Sequence, residues 1–442
     1  MFSPITPDFL KLTIIPSMNL PAKSQHSNYL LISIILTSLL LIARDIIGVS
    51  INQYVIFLFM SLCFITLSKR EVHSYLAFTC GIIFGINAYI LLVGIGALFL
   101  KDFTNTSKNL AFILFFIILI LWEIFNCVFH YASPQFSIIL LYAANLLIFF
   151  YYFFANKNNE YNIEKIFFYS IGLGLTLLIL SVGVLQNPLD IVFDSTSDVR
   201  GAMGYTEDYT ETHFFANANN LAYLSIVLLS LVLCLRTQIF QSKIIFYVLL
   251  IISLLGGILS SSRTWVLLCA LLLIVLFLLI NFKSKLKASV VSAIILALAF
   301  YLFPMFLNIA IDGIRDRFEL GNLKTAGNRT ALFAEYFNFM SNHSEYILSG
   351  TGAIYYKNIA QCSNSCHNAF QQIYVSYGIF GCLFFIAAFS ISIRRREMSS
   401  SFINYIPFLS AIIFIQSIQF LNPFYLMIPI ALTSVAYKIR LT

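Results

Sequence analysis

The sequence predicts an all-α, polytopic membrane protein, and three observations carry that prediction. Charged residues make up only 10% of the 442, against about 25% in a soluble domain. Hydrophobic residues make up 60%, and mean hydropathy is +0.89. The apolar residues gather in successive runs near the ~20 residues that a helix needs to cross a bilayer, with 45 Phe and 24 Tyr suited to lipid-facing surfaces and interfacial belts.

Taken in order, residues 1–28 carry Pro4, Pro7, Pro16 and Pro21 and lack the basic, apolar and small-residue succession of a cleavable signal. They read as a cytoplasmic or interfacial segment, with the first span acting as an uncleaved signal. Residues 29–310 read as a transmembrane bundle. Its candidate spans are Tyr29–Val49, Tyr54–Leu67, Tyr75–Leu100, Leu110–His130, Phe136–Phe154, Ile166–Leu185, Asn219–Leu235, Ile244–Leu259, Thr264–Ile280 and Ala288–Ile309. A loop of residues 186–218 interrupts the bundle, and a large loop of residues 311–366 follows it. Residues 367–442 supply the last spans, Asn368–Ile393, Phe402–Ile415 and Ile418–Tyr437, and a short cytoplasmic tail. The working count is about 12 spans, because the shortest runs fall below spanning length.

Basic residues in short loops orient the chain. Arg236–Lys243, Lys283–Lys287, Arg394–Arg396 and Lys438–Arg440 are mutually consistent as cytoplasmic. Alternation then places residues 186–218, Ser260–Arg263 and residues 311–366 outside. The first four helices resist this rule. Lys69 and Arg70 cannot lie on the same side as Lys101 and Lys108 if Tyr75–Leu100 is one span.

The net charge of +7 follows topology and anionic lipid rather than marking a nucleic-acid footprint. Six of the eight cysteines sit in apolar runs as small buried hydrophobes. Cys362 and Cys366 sit in the polar loop. There they suit a disulfide if the loop faces an oxidising compartment, or a Cys-x3-Cys-His metal site, for which no fourth ligand is evident.

Polar residues with chemical capacity collect outside the spans. Arg200 can fork onto a phosphate oxygen or stand solvated in its loop. His213 is a proton shuttle or an interfacial side chain. Arg263 opens a helix after Ser262, which can cap it. An arginine there opposes the helix dipole, so it calls for an anionic partner or for water. Arg329 precedes the amphipathic run Leu332–Met340, which suits the membrane interface. His367 begins the last long helix, where an imidazole near neutral pKa can take a proton from a hydroxyl. Gly378 and Gly381 read as small residues that admit a neighbouring helix.

One pattern ties these together. His367-Asn368, then the nine residues Ala369 to Tyr377, then Gly378-Ile379-Phe380-Gly381, resembles the motif of the O-antigen ligase/polymerase superfamily. Arg200-Gly201 with Asn217–Asn220, Ser260–Arg263 and Gly327–Arg329 follow in that superfamily's order. The resemblance implies a multi-spanning, all-helical (GT-C-like) glycosyltransferase of the bacterial inner membrane with a periplasmic active site. It implies His367 as base, and Arg200, Arg263, Arg329 and Asn368 as the residues that hold the diphosphate and substrate. His213 is accessory. No metal and no cofactor are implied, because a diphosphate leaves readily once arginines offset its charge.

The donor implied is an oligosaccharide on undecaprenyl diphosphate in a lipid membrane, with no nucleic acid involved. The reading is an O-antigen polymerase joining repeat units with inversion, the charge-poor, Tyr/Phe-rich chain and the full motif spacing favouring it. The alternative is an O-antigen ligase that transfers polymer to lipid A–core. A chain-length regulator and a flippase of the same pathway are the expected protein partners. A lipid-linked sugar transporter is the reading from another class; it would need ionisable groups inside the spans, where Arg44-Asp45 and Glu123 are the candidates.

Overall fold

The computed structural model describes residues 28–83, 86–106, 110–130, 135–154, 165–185, 218–235, 242–260, 262–281, 329–394, 402–416, 421 and 427–436. Among these the chain is all helical, with fifteen α-helices and no strand. Arg200, His213, the loop of residues 186–217, the Ala288–Ile309 run and residues 311–328 lie outside the described residues.

The first seven helices are α1 (Asn28–Asp45), α2 (Gln53–Thr66), α3 (Lys69–Ile82), α4 (Ile90–Thr106), α5 (Leu110–His130), α6 (Phe136–Phe154) and α7 (Lys165–Leu185). Then come α8 (Ala218–Cys234), α9 (Lys243–Leu259) and α10 (Arg263–Asn281). The late polar region folds as α11 (Arg329–Asn342), a 3₁₀ turn at Ser344–Tyr346 and the short α12 (Tyr356–Ala360). The chain ends with α13 (Ala369–Arg394), α14 (Ile406–Ile415) and α15 (Met427–Ala436).

Phe136–Phe153 and Ala369–Ala388 are long and apolar enough to cross a membrane, and shorter apolar helices accompany them. Helix α8 runs through the middle, buried along Leu221–Val232 and packed by α9, α10 and α14. The outer helices turn large apolar side chains outward instead. Leu31, Leu58, Val128 and Phe129 are all more than half exposed. At about 25 cal/mol per Å² such a surface would be costly in water, and a bilayer removes that cost. This is a helical membrane protein.

Two elements depart from the spans expected. Tyr75–Leu100 is not one span. It is the end of α3, a turn near residues 86–89, and α4. The apolar content continues across the turn, so hydropathy alone joins the two helices. The ends of the pair meet on one side: Lys101 Nζ in α4 donates to the Phe64 and Ile65 carbonyls, 2.9 Å each, and to that of Leu67. Those carbonyls close α2 beside Lys69 and Arg70. Basic residues that seemed to need opposite sides therefore stand together.

The second departure is inside α13. Gly378 adopts φ +62° and ψ −159°, so the helix is broken there rather than lined for a neighbouring helix. The break trades hydrogen bonds with the segment after the 3₁₀ turn. Val375 and Ser376 carbonyls, which would accept from Ile379 and Phe380 in a continuous helix, accept from Thr351 N (3.0 Å) and Gly352 N (2.8 Å). Ile379 N and Phe380 N donate to Ile347 O (2.9 Å) and Leu348 O (3.1 Å). Non-helical backbone within a membrane protein persists only where protein satisfies it, and residues 347–352 do so here.

Candidate active site

The residues before α13 are held by a small core of their own. Leu332, Tyr336 and Met340, spaced four apart on α11, bury against Tyr356, Cys366 and Val375. The expected amphipathic run thus covers protein with this face and leaves Phe333 and Phe337 exposed. Three polar ties fix the segment of residues 363–366 across it. Tyr336 Oη donates to Asn364 O (2.7 Å), Ser363 N donates to the Glu335 carboxylate (3.1 Å), and Cys366 N donates to Tyr356 Oη (2.9 Å).

His367 follows directly. Asn368 is the N-cap of α13: its Oδ1 accepts from Gln371 N (3.0 Å) and its carbonyl from Gln372 N (2.8 Å). Gln371 Nε2 donates to Phe333 O (2.7 Å), tying the start of α13 to α11. The wholly buried Gln372 clamps the Leu421 backbone, its Oε1 accepting from Leu421 N at 2.8 Å. The imidazole is therefore presented by a helix start held from three directions.

His367 is half-buried, and its Nδ1 is buried with no hydrogen-bond partner among the described residues. Burial first, and the Arg329 guanidinium second, hold its pKa below the ordinary 6.5. The ring is thus neutral at pH 7 and able to accept a proton. Of the sequence-predicted arginines, Arg329, the first residue of α11, stands near enough to act on it. Arg263 opens α10 as expected, half-exposed, with Ser262 O accepting from Val266 N at 3.1 Å.

Cys362 and Cys366 are separate thiols in this structure. Cys366 Sγ donates to Gln371 Oε1 (3.1 Å), and burial pushes its pKa up to about 12. Among the described residues no group of three or more His, Cys, Asp and Glu side chains gathers as a metal site, so Cys362, Cys366 and His367 do not form one. The ionisable residues flagged for transport are committed elsewhere. Arg44 binds Asp45 through Nε–Oδ1 at 2.7 Å and Nη2–Oδ2 at 3.0 Å, and Glu123 holds backbone.

Sequence reasoning missed the residues that carry the break. The Ser349-Gly350-Thr351-Gly352 turn looks like a flexible loop, yet it is seated in α13. Gly350 (φ +72°) would put a Cβ 2.3 Å from the Ser376 carbonyl carbon, and Gly378 one 2.3 Å from that of Leu348. Gly381 is also no helix-packing residue: a Cβ there would meet Tyr377 Cβ at 2.0 Å. The available signal in the sequence was the glycines themselves, Gly350, Gly352 and Gly378, all at positive φ.

Comparison with known proteins agrees with this region. Residues 247–386 match the family model described as O-antigen ligase. The match spans Arg263, Arg329, His367, Asn368, Gly378 and Gly381, and stops short of Arg200, His213 and Glu123. No curated protein matches the chain. Over residues 247–386 the chain is thus similar to the O-antigen ligase family, which supports the resemblance to the O-antigen ligase/polymerase superfamily.

Proposed function

We propose that this protein is a surface-polysaccharide (O-antigen) polymerase that joins undecaprenyl-diphosphate-linked repeat units at the periplasmic face of the inner membrane. The observation that carries the reading is His367: a neutral imidazole with a buried, partnerless nitrogen, beside the Arg329 guanidinium. In the proposed step an acceptor hydroxyl oxygen attacks the anomeric carbon of the donor sugar. His367 takes the hydroxyl proton, the carbon–oxygen bond to the diphosphate breaks, and undecaprenyl diphosphate leaves with the electron pair. Arg329, with Arg263 and Arg200, offsets the charge that develops on it. Direct displacement inverts the anomeric carbon. Asn368, as N-cap, orients the base.

The family description favours a second reading, an O-antigen ligase, which uses the same donor and a lipid A–core acceptor. A deletion strain complemented with wild type or His367→Ala separates the two. A polymerase deletion leaves lipid A–core carrying a single repeat unit, and a ligase deletion leaves long polymer on undecaprenyl diphosphate with bare core. His367→Ala at normal abundance is expected to copy the deletion; wild-type polymer from it would end the catalytic assignment.

The proposed topology has about twelve crossings, with α3 and α4 as a hairpin that enters and leaves on the cytoplasmic side. The Lys101 bonds to the end of α2 support it. Single cysteines replacing Arg70 and Lys108 in an otherwise cysteine-free chain should both label from the cytoplasmic side only. Labelling from opposite sides would restore the single span.

A further inference from the structure

Helix α5 is apolar over nearly its whole length, and Glu123 is its one acidic residue. The side chain is wholly buried, two-thirds of the way along the helix. A buried carboxylate is costly unless donors surround it, and donors reach this one from two separate segments. Oε2 accepts from Ala353 N (2.8 Å) and from Tyr377 Oη (3.2 Å), and Oε1 accepts from Ile354 N (2.8 Å). Tyr142 Oη of α6 donates in turn to Tyr377 Oη. Next to Glu123, Trp122 Nε1 donates to Ser349 O (2.9 Å). Gly352, at φ +86°, brings its backbone against Asn126 and Glu123; a Cβ there would lie 2.9 Å from Asn126 Cβ.

The two segments that meet on Glu123 are the two that set His367. Ala353 and Ile354 lead within two residues to Tyr356, whose hydroxyl accepts from Cys366 N beside His367. Tyr377 lies on the helix that His367 precedes, just before the break at Gly378. The missing Cβ of Gly381 leaves the room that the Tyr377 side chain occupies. Neither Ala353 N nor Ile354 N belongs to a helix, so the carboxylate supplies the acceptors that buried backbone needs.

We propose that Glu123 is a positioning residue for His367, fastening the backbone that carries the base to the spanning bundle through Ala353, Ile354 and Tyr377. This inference rests on the catalytic reading of His367. Placement errors of about 1 Å, even when caused far from the chemistry, can cost on the order of a hundredfold in rate.

The test uses full-length protein in lipid nanodiscs, with lipid-linked repeat units as donor and acceptor. Glu123→Ala, Glu123→Gln, Tyr377→Phe and His367→Ala are compared. Glu123→Ala should lower kcat by about a hundredfold and Glu123→Gln by about tenfold, with KM for the donor within about twofold. Tyr377→Phe, which leaves both backbone bonds, should lower kcat less than either. Amide exchange across residues 347–354 should rise in the Glu123 variants and not in His367→Ala. Should Glu123→Ala fail to fold, Glu123→Gln and Tyr377→Phe carry the same comparison. Wild-type kcat in folded Glu123→Gln overturns the inference, whether or not exchange rises. A fall in yield with unchanged kcat per folded molecule also overturns it. Turnover by His367→Ala would instead overturn the catalytic reading, and this inference with it, and the two failures are told apart by that one variant.

Discussion

Two places in this molecule depend on glycines that touch backbone, and they do opposite things. Where α3 crosses α7, a Cβ on Gly81 would lie 2.5 Å from the Gly174 carbonyl carbon, and one on Gly174 would lie 2.5 Å from Phe78 O. Both helices stay intact there, and the glycines only let them approach, as small residues do between spanning helices. Where residues 347–352 meet α13, Gly350 and Gly378 have positive φ and the helix is open. There the glycines let the backbone leave the helix and hand its hydrogen bonds to another segment. Glycines of the first kind set a distance, and those of the second kind set a connection to the site.

Gly378→Ala tests that contrast with the largest expected effect. Its φ and ψ fall where a side chain costs on the order of 1–3 kcal/mol in strain, and the added Cβ also meets Leu348 backbone at 2.3 Å. Surface polymer should be lost, and residues 347–352 should exchange amides freely. Gly81→Ala should cost about 1–3 kcal/mol by overpacking, seen as a lower melting temperature with kcat per folded molecule unchanged. If Gly378→Ala makes wild-type polymer, or if Gly81→Ala loses turnover while remaining folded, the distinction fails.

The smallest expected effect concerns pH. His367 has its pKa lowered in the folded protein, so the unfolded chain binds a proton more readily below 6.5. Stability from this group is full above 6.5 and is lost as pH falls towards the folded value. Activity should follow the same direction, with kcat/KM holding through pH 6.5 and falling only on the acid side. Arg329→Gln should move that limb upward, yet leave it below 6.5, because burial is the larger cause. A limb that stays in place would remove Arg329 from the neighbourhood of the base. The α3–α7 crossing has no such titrating group at its Gly81–Gly174 contact, so Gly81→Ala should leave the limb where it is.

Much of the site was legible in sequence because its parts are close along the chain. His367 and Asn368 are adjacent and stand at a helix start as expected, and the structure adds that Asn368 caps that helix. Arg329 was expected from resemblance to hold the diphosphate; that its guanidinium acts on the His367 imidazole came from the structure. Glu123 was visible as an isolated carboxylate in an apolar run, but its partners Ala353 and Ile354 lie more than 200 residues away along the chain. Backbone N–H groups carry no sequence signature, so no pattern in the residues announces that pairing.

Composition and periodicity by themselves determined that the chain is helical and membrane-embedded, because burial in hydrocarbon imposes apolar runs that local sequence must spell out. They also placed His367 at the start of the last long helix, and the motif resemblance gave it a role. Tertiary structure alone decided that Tyr75–Leu100 is two helices, that Gly378 opens α13 and residues 347–352 close the opening, and that Glu123 holds the backbone just beyond them. Each of those turns on where a buried backbone group finds its hydrogen-bond partner, and that depends on the packed fold rather than on neighbours in sequence.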